Sequence, residues 1–207
     1  MPVRGEDKFD EESRASWFSH QSEVAKPYYY KTYLADHDIR VEITPTERAA
    51  MMRFTFPDSK ESGVVIDAFD RGSYIRVMHD KRTVVGYTTR NSGGVPDNFK
   101  NWFIVRFDRK IRDFQIYDGA KPVEGEQLVG EHALVRVGFE TRRGEQVTVR
   151  AASSFISQMQ AVQNLGELGK DDFETVKAKA QKRGEEVLGR IEIAGGTVDQ
   201  YRPIYSC

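Results

Sequence analysis

The stretch ALVRVGFETRRGEQVTVRAASS, residues 133–154, carries the period that decides the fold. In its first half Val135, Val137 and Phe139 alternate with Arg136, Gly138 and Glu140. In an extended chain this places the apolar side chains on one face and the others on the opposite face. Arg142-Arg143-Gly144 then makes a turn, with glycine where a positive φ costs little. A second run rich in Val and Thr follows at 146–153.

The same texture extends toward the amino terminus. Runs rich in Tyr, Val, Ile, Thr and Phe occupy 27–34, 39–44, 49–56, 63–69, 73–78, 83–89, 101–108 and 113–118. Spacings near ten residues predict a mainly β, antiparallel sandwich or barrel rather than a sheet wound with helices. Asp70-Arg71-Gly72 and Tyr117-Asp118-Gly119 repeat the glycine turn. The period changes after Phe155. Residues 158–168 read as a short helix ended by Gly169, and Asp171 or Asp172 caps a longer one, with Glu174 placed to complete a capping box. Phe173, Val176, Ala180, Val187, Leu188 and Ile191 form an apolar stripe weakened at Gly184 and Gly189. The reading is therefore a charged, irregular arm over 1–17, a sandwich over 18–156, and helices over 157–207 that pack loosely on the sandwich or project from it.

With 207 residues the chain is long enough for one real core, about 70% of its unfolded surface being buried on folding. Lys and Arg number 31 against 32 Asp and Glu, which gives no basic footprint for nucleic acid or an anionic membrane surface. Mean hydropathy is -0.60, and no run approaches the ~18 apolar residues of a membrane span. The opening MPVRGEDKFDEESRASW lacks the apolar segment of a secretory signal. The one cysteine, Cys207, excludes a disulfide framework and a Cys-rich metal site.

His20, His37, His79 and His132 stand apart, in no metal-ligand spacing, and are expected to be surface or hydrogen-bonded residues. Phosphate-cradling and nucleophile-elbow motifs are absent. Asp67, Asp70, Glu185 and Glu186 read as solvated or turn acids, and nothing in the spacing marks an acid–base couple. The most informative loop is TTRNSGGVPDNFKNWF, 88–103, where Asn91, Asn98 and Asn101 surround Gly93-Gly94 and Pro96 ahead of Phe99, Trp102 and Phe103. Asn side chains and loop carbonyls are neutral oxygen donors suited to sugar hydroxyls or calcium. The plainer reading is an Asx-turn loop between two strands, with Trp102 in the core.

Longer strings narrow the choice. FSHQSEVAKPYYYKTYL (18–34), VEITPTERAAMMRFTFP (41–57), VVIDAFDRGSYIRV (64–77), VVGYTTRNSGGVPDNFKNWF (84–103), EQVTVRAASSFISQMQAVQNL (145–165) and VLGRIEIAGGTVDQYRPIYSC (187–207) follow one another in order. Together they resemble the amino-terminal domain and following linker of the glycoside hydrolase family 92 α-mannosidases. The resemblance implies a supersandwich like that of galactose mutarotase, and a helical linker leading to an (α/α)6 catalytic domain that this chain lacks. It implies calcium-dependent, inverting removal of terminal α-mannose from N-glycans or mannans by the whole enzyme. It also implies an interior fragment, incomplete at its amino-terminal side, from proteins that are typically periplasmic, surface-bound or secreted.

By the same resemblance Asn91 is the position that donates an oxygen to calcium, and Ser92, Gly93, Gly94 and Asn98 lie on the carbohydrate side of the loop. The expected partners are a mannose-containing glycan and the missing catalytic domain. No catalytic residue is expected in this chain. Glu47, inside the family-like TPTERAA string, is the acid to examine first, although the role expected of it is pairing with Arg48 or a neighbouring strand's cation. The alternative function is a stand-alone carbohydrate-binding or interaction sandwich without catalysis. A selected module would close its termini, whereas Ile204 to Cys207 leave an apolar helix end expected to stand exposed.

Overall fold

A computed structural model describes residues 1–5, 10–191 and 194–205, without the side chains of 204 and 205. The Cys207 end and the apolar helix tip expected there lie outside the described residues. In chain order the elements are β1 (Pro2–Arg4), α1 (Glu11–Arg14), β2 (Val24–Lys26), β3 (Tyr29–Leu34), β4 (Ile39–Pro45), β5 (Ala49–Phe56), β6 (Ser59–Asp67) and β7 (Ser73–Val77). They continue with β8 (Thr83–Thr88), β9 (Asn101–Phe107), β10 (Asp113–Asp118), β11 (Lys121–Val123), β12 (Gln127–Gly130), β13 (Ala133–Thr141) and β14 (Glu145–Ser154). Helix α2 (Gln158–Leu165) runs into a 3-10 turn (Gly166–Leu168), and α3 (Phe173–Leu188) and α4 (Val198–Tyr205) follow. No described helix is long and apolar enough to cross a membrane.

Among the described residues the strands form two antiparallel sheets. One has the order β1-β6-β13-β10-β11, the other β12-β7-β8-β9-β14-β5-β4-β3-β2. All ten strand runs read from the sequence are present. The strands that the pattern does not disclose are β1, β2, β11 and β12, and these are the four sheet edges. Each is three or four residues long, and β1 and β11 carry a proline. Short, Pro- or Lys-bearing edges are held by their neighbour's ladder and have little propensity of their own.

The reading of 1–17 as an irregular arm is accordingly corrected. Pro2–Arg4 pairs with β6, and Val3 is buried with Val65, Tyr117 and Leu134 on the outer face of the five-stranded sheet. Asp10 caps α1 by accepting from the Ser13 amide at 2.7 Å. These residues belong to the sandwich because a covered apolar patch and a free strand edge await them.

The two halves of 133–154 lie in different sheets. Residues 142–144 form the corner between them, with Gly144 at φ +81° donating its amide to the Phe56 carbonyl at 2.9 Å. Val135, Val137 and Phe139 from one sheet therefore meet Val147 and Val149 from the other in a single core, which also holds Ile39, Phe54, Phe56, Ile75 and Val84. Phe107 and Phe139 touch with ring centroids 5.3 Å apart.

The nine-stranded sheet also has an apolar outer face, and here the expectation of loosely packed helices fails for α2 and the first half of α3. Ala49, Met51, Ile104 and Ala152 lie under Ala161, Leu165, Leu168, Phe173 and Val176 in a second core. Ser157 caps α2 and Asp172 caps α3. Glu174 does not close a capping box. It accepts instead from Arg53 of β5 at 2.8 Å, while Arg53 also grips Glu42 and lies 4.1 Å over the Phe173 ring. Burial opposes the Glu42 charge, yet its bonds from Arg53 and the Tyr29 hydroxyl hold it below the usual glutamate range. Docking ends past the middle of α3, where Val187 and Leu188 are each 44% exposed. Replacing Phe173 by Ala is expected to cost about 3–5 kcal/mol in urea unfolding, and Val187→Ala less than about 0.5 kcal/mol. Equal costs would show that the two ends of α3 are held alike.

Candidate functional site

The registers bring several connections to one end of the nine-stranded sheet. Ser73 faces Thr88, Thr88 faces Asn101, Trp102 faces Ser154 and Ala152 faces Ala49. Loop 89–100, the turn before β7, the β4–β5 turn and the β14–α2 junction therefore share that end.

Loop 89–100 begins with tight local bonding. The Asn91 side-chain oxygen accepts from the Gly93 amide at 2.8 Å, and its side-chain nitrogen donates to the Thr89 carbonyl at 2.9 Å. This is the Asx turn of the plainer reading. Gly93 and Gly94 follow at φ +102° and +71°, where only glycine is unstrained. The loop is seated on the turn before β7. Arg71 donates to the Asn91 carbonyl at 3.2 Å, and the Thr89 hydroxyl donates to the Gly72 carbonyl at 2.8 Å. Arg90 lies 4.9 Å over the Phe69 ring and 3.3 Å from Asp70. Phe69 and Arg71 hold φ values of +63° and +72°, a strained conformation for residues with side chains.

Asp67 anchors that strained turn, and its burial corrects its reading as a solvated acid. One carboxylate oxygen accepts from Arg14 at 2.6 Å, the other from the Phe69 amide at 2.8 Å and lies 2.7 Å from His132 Nε2. The Arg14 and Asp67 side chains are 6% and 9% exposed. Burial opposes ionisation most strongly, but the Phe69 amide, His132 and Arg14 outweigh it and hold the carboxyl below the usual aspartate range. No sequence motif marks this trio, because its members lie 53 and 65 residues from Asp67.

The residues expected at the site fall as follows. Ser92, Gly93, Gly94 and Asn98 are exposed together on the loop, and Asn91 is half-buried at its base. Trp102 lies on the outer face, half-buried at the margin of the second core. Glu47 lies on the β4–β5 turn, exposed, with Arg183 of α3 4.0 Å away, whereas Arg48 pairs with Glu167. Among the described residues no three His, Cys, Asp or Glu cluster as metal ligands. Calcium takes six to eight oxygens. One Asn oxygen already accepting a bond, beside the Arg71 guanidinium, does not fit a whole calcium site.

Residues 1–154 match the model of the glycosyl hydrolase family 92 N-terminal domain. The chain belongs to this family. The match begins at residue 1, not at 18 where the quoted strings begin. All of the chain superposes on a family GH92 inverting mannosidase from Bacteroides thetaiotaomicron VPI-5482 with TM-score 0.92 and 35% identity, covering 28% of that protein. A family GH92 α-mannosidase from Bacteroides thetaiotaomicron matches 94% of the chain with TM-score 0.87 and 29% identity, covering 29% of that protein. The same α-mannosidase in complex with mannoimidazole gives TM-score 0.86. Comparison with curated proteins found no match. The chain thus spans under a third of the length of the solved enzymes it resembles.

The anchor under the loop has an acid limit. With its folded pKa below the unfolded value, Asp67 contributes stability that is complete above about pH 4 and is lost as pH falls through the folded pKa. Asp67→Asn is expected to lower neutral-pH stability by about 3–5 kcal/mol, since it breaks the buried Arg14–Asp67 ion pair. Thermal melts across that range should show a shallower acid limb for the variant, and an unchanged limb would remove Asp67 from this role.

Proposed function

We propose that the chain is the amino-terminal domain of a calcium-dependent, inverting exo-α-mannosidase that removes terminal mannose from N-glycans or mannans. The observation that carries the reading is the superposition of the whole chain, at 35% identity, on an inverting mannosidase. An inverting glycosidase needs two carboxyl groups about 6.5–9.5 Å apart around the bond to be cut. Both are assigned to an (α/α)6 domain outside this chain.

The part played by these residues is positional. The Asx turn holds the Asn91 side-chain oxygen on the Gly93 amide, and the bonds from Arg71 to Asn91 and from Thr89 to Gly72 tie this turn to the one before β7. We assign Asn91 one oxygen of a calcium site whose other ligands lie outside the chain. Calcium there would polarise mannose hydroxyls. Ser92, Gly93, Gly94 and Asn98 form the glycan-facing crest, where the lack of side chains at the two glycines allows close approach. Glu47 is a surface acid in this reading.

A chimera in which this chain replaces the matching part of the family GH92 inverting mannosidase tests the assignment. It should retain mannoside hydrolysis, and Asn91→Ala should raise the calcium needed for half-maximal activity about tenfold or more. Glu47→Gln should leave its rate unchanged. The 207-residue chain alone should release no mannose from an aryl α-mannoside, with or without calcium. Calcium-dependent turnover by the isolated chain would overturn the placement of catalysis elsewhere.

A further inference from the structure

Part of the nine-stranded sheet's outer face is left open by the helices. Tyr74, Tyr87 and Trp102 stand directly opposite one another on β7, β8 and β9, and the next row is Arg76, Val85 and Ile104. Thr83 and Arg106 pair in the row beyond. With Gln158 and Val162 of α2 as a wall, these rows floor a cleft of about 520 Å³. That size suits a sugar unit or another small ligand.

The aromatic row is interlocked. Tyr87 meets Tyr74 with centroids 5.6 Å apart and Trp102 edge-on at 4.8 Å. Lys100 covers Tyr87 at 4.2 Å, which leaves Tyr74 and Trp102 as the rings that line the cleft. Indole and phenol faces take the C–H faces of pyranose rings.

The charges are the telling feature. The half-buried Arg76 guanidinium has no ion-pair or hydrogen-bond partner among the described residues. Arg106 reaches only the Thr83 hydroxyl at 3.4 Å, and Lys100 lies over aromatic rings. The one carboxylate lining the cleft, Asp80, already accepts from the Arg82 amide and from the Thr83 amide and hydroxyl. His79, at the same rim, pairs with Glu126. Arg76 has no anion beside it among the described residues, and Arg106 faces Asp80, whose oxygens already accept three bonds, so the cleft carries an excess of positive charge beside its aromatic rings that is complementary to an anion carried on a ring.

We propose that this cleft binds an anionic sugar, with a pyranose ring on Trp102 and Tyr74 and a phosphate or carboxylate substituent held by Arg76 and Arg106. The site uses none of the residues assigned to calcium or to the loop crest, and it stands whether or not the chain completes a mannosidase.

The test follows Trp102 fluorescence in the 207-residue chain carrying Trp17→Phe, which leaves one indole. Mannose 6-phosphate, glucuronic acid, mannose, inorganic phosphate and a single-stranded oligothymidylate are titrated at low salt. At least one anionic sugar is expected to bind about tenfold or more tighter than mannose or phosphate. Arg76→Gln should remove that preference while leaving the thermal melt unchanged, and Arg106→Gln should weaken it. Equal binding of mannose would overturn the anion assignment, and equal binding of phosphate would overturn the ring platform. Tightest binding of the oligonucleotide, or no saturable binding of any probe, would overturn the proposal as a whole.

Discussion

The constraint on which the rest depends is that the nine-stranded sheet is apolar on both faces along its middle strands. Phe54 and Val149 point into the sandwich, while Met51 and Ala152, on the same strands, point out. An uncovered outer face of that size would expose Ala49, Met51, Ile104 and Ala152 to water at roughly 25 cal/mol per Å². Helix α2 and the first half of α3 cover it, so the fold has three layers where strand counting yields two. The Glu42–Arg53–Glu174 chain fixes the third layer by charge as well as by burial. A polar network is retained there because each carboxylate has its cation and the Tyr29 hydroxyl takes a remaining lone pair.

Coverage stops short of β7 and β8, and this incompleteness organises the functional surface. The end of the sheet that presents loop 89–100 is continuous with the open outer face. Lys100 is the joint between them, since it closes the loop and lies on the aromatic row at its foot. On the loop's other flank, Phe99 meets the exposed Phe155 with ring centroids 5.6 Å apart, and Ile156 and Met159 after it are exposed as well. The enzymes this chain resembles are more than three times its length. The loop is bonded through Arg71 and Thr89 to the turn before β7, and Asp67 anchors that strained turn by accepting from the Phe69 amide.

Much of the local structure was legible from residue type. Val135 and Phe139 announced their strand by alternation, Gly144 its turn, Asp172 its helix cap and Asn91 its Asx turn. Each depends on interactions within about four residues, where propensity and side-chain reach suffice. The family strings TERAAMMRFTFP and NSGGVPDNFKN were equally legible as patterns, and they pointed to the family to which residues 1–154 belong.

What the sequence by itself determined is therefore the period, the punctuation and the kinship of the chain. Only the tertiary structure decided that β13 and β14 part into different sheets, that Pro2–Arg4 closes an edge, and that Phe173 lies buried. It alone brought Arg14 and His132 to Asp67, and Tyr74, Tyr87 and Trp102 into one row. A period of two says that a strand has two faces and leaves open what covers each. The answer comes from partners tens of residues away, through burial and ladder registers that no local stretch encodes.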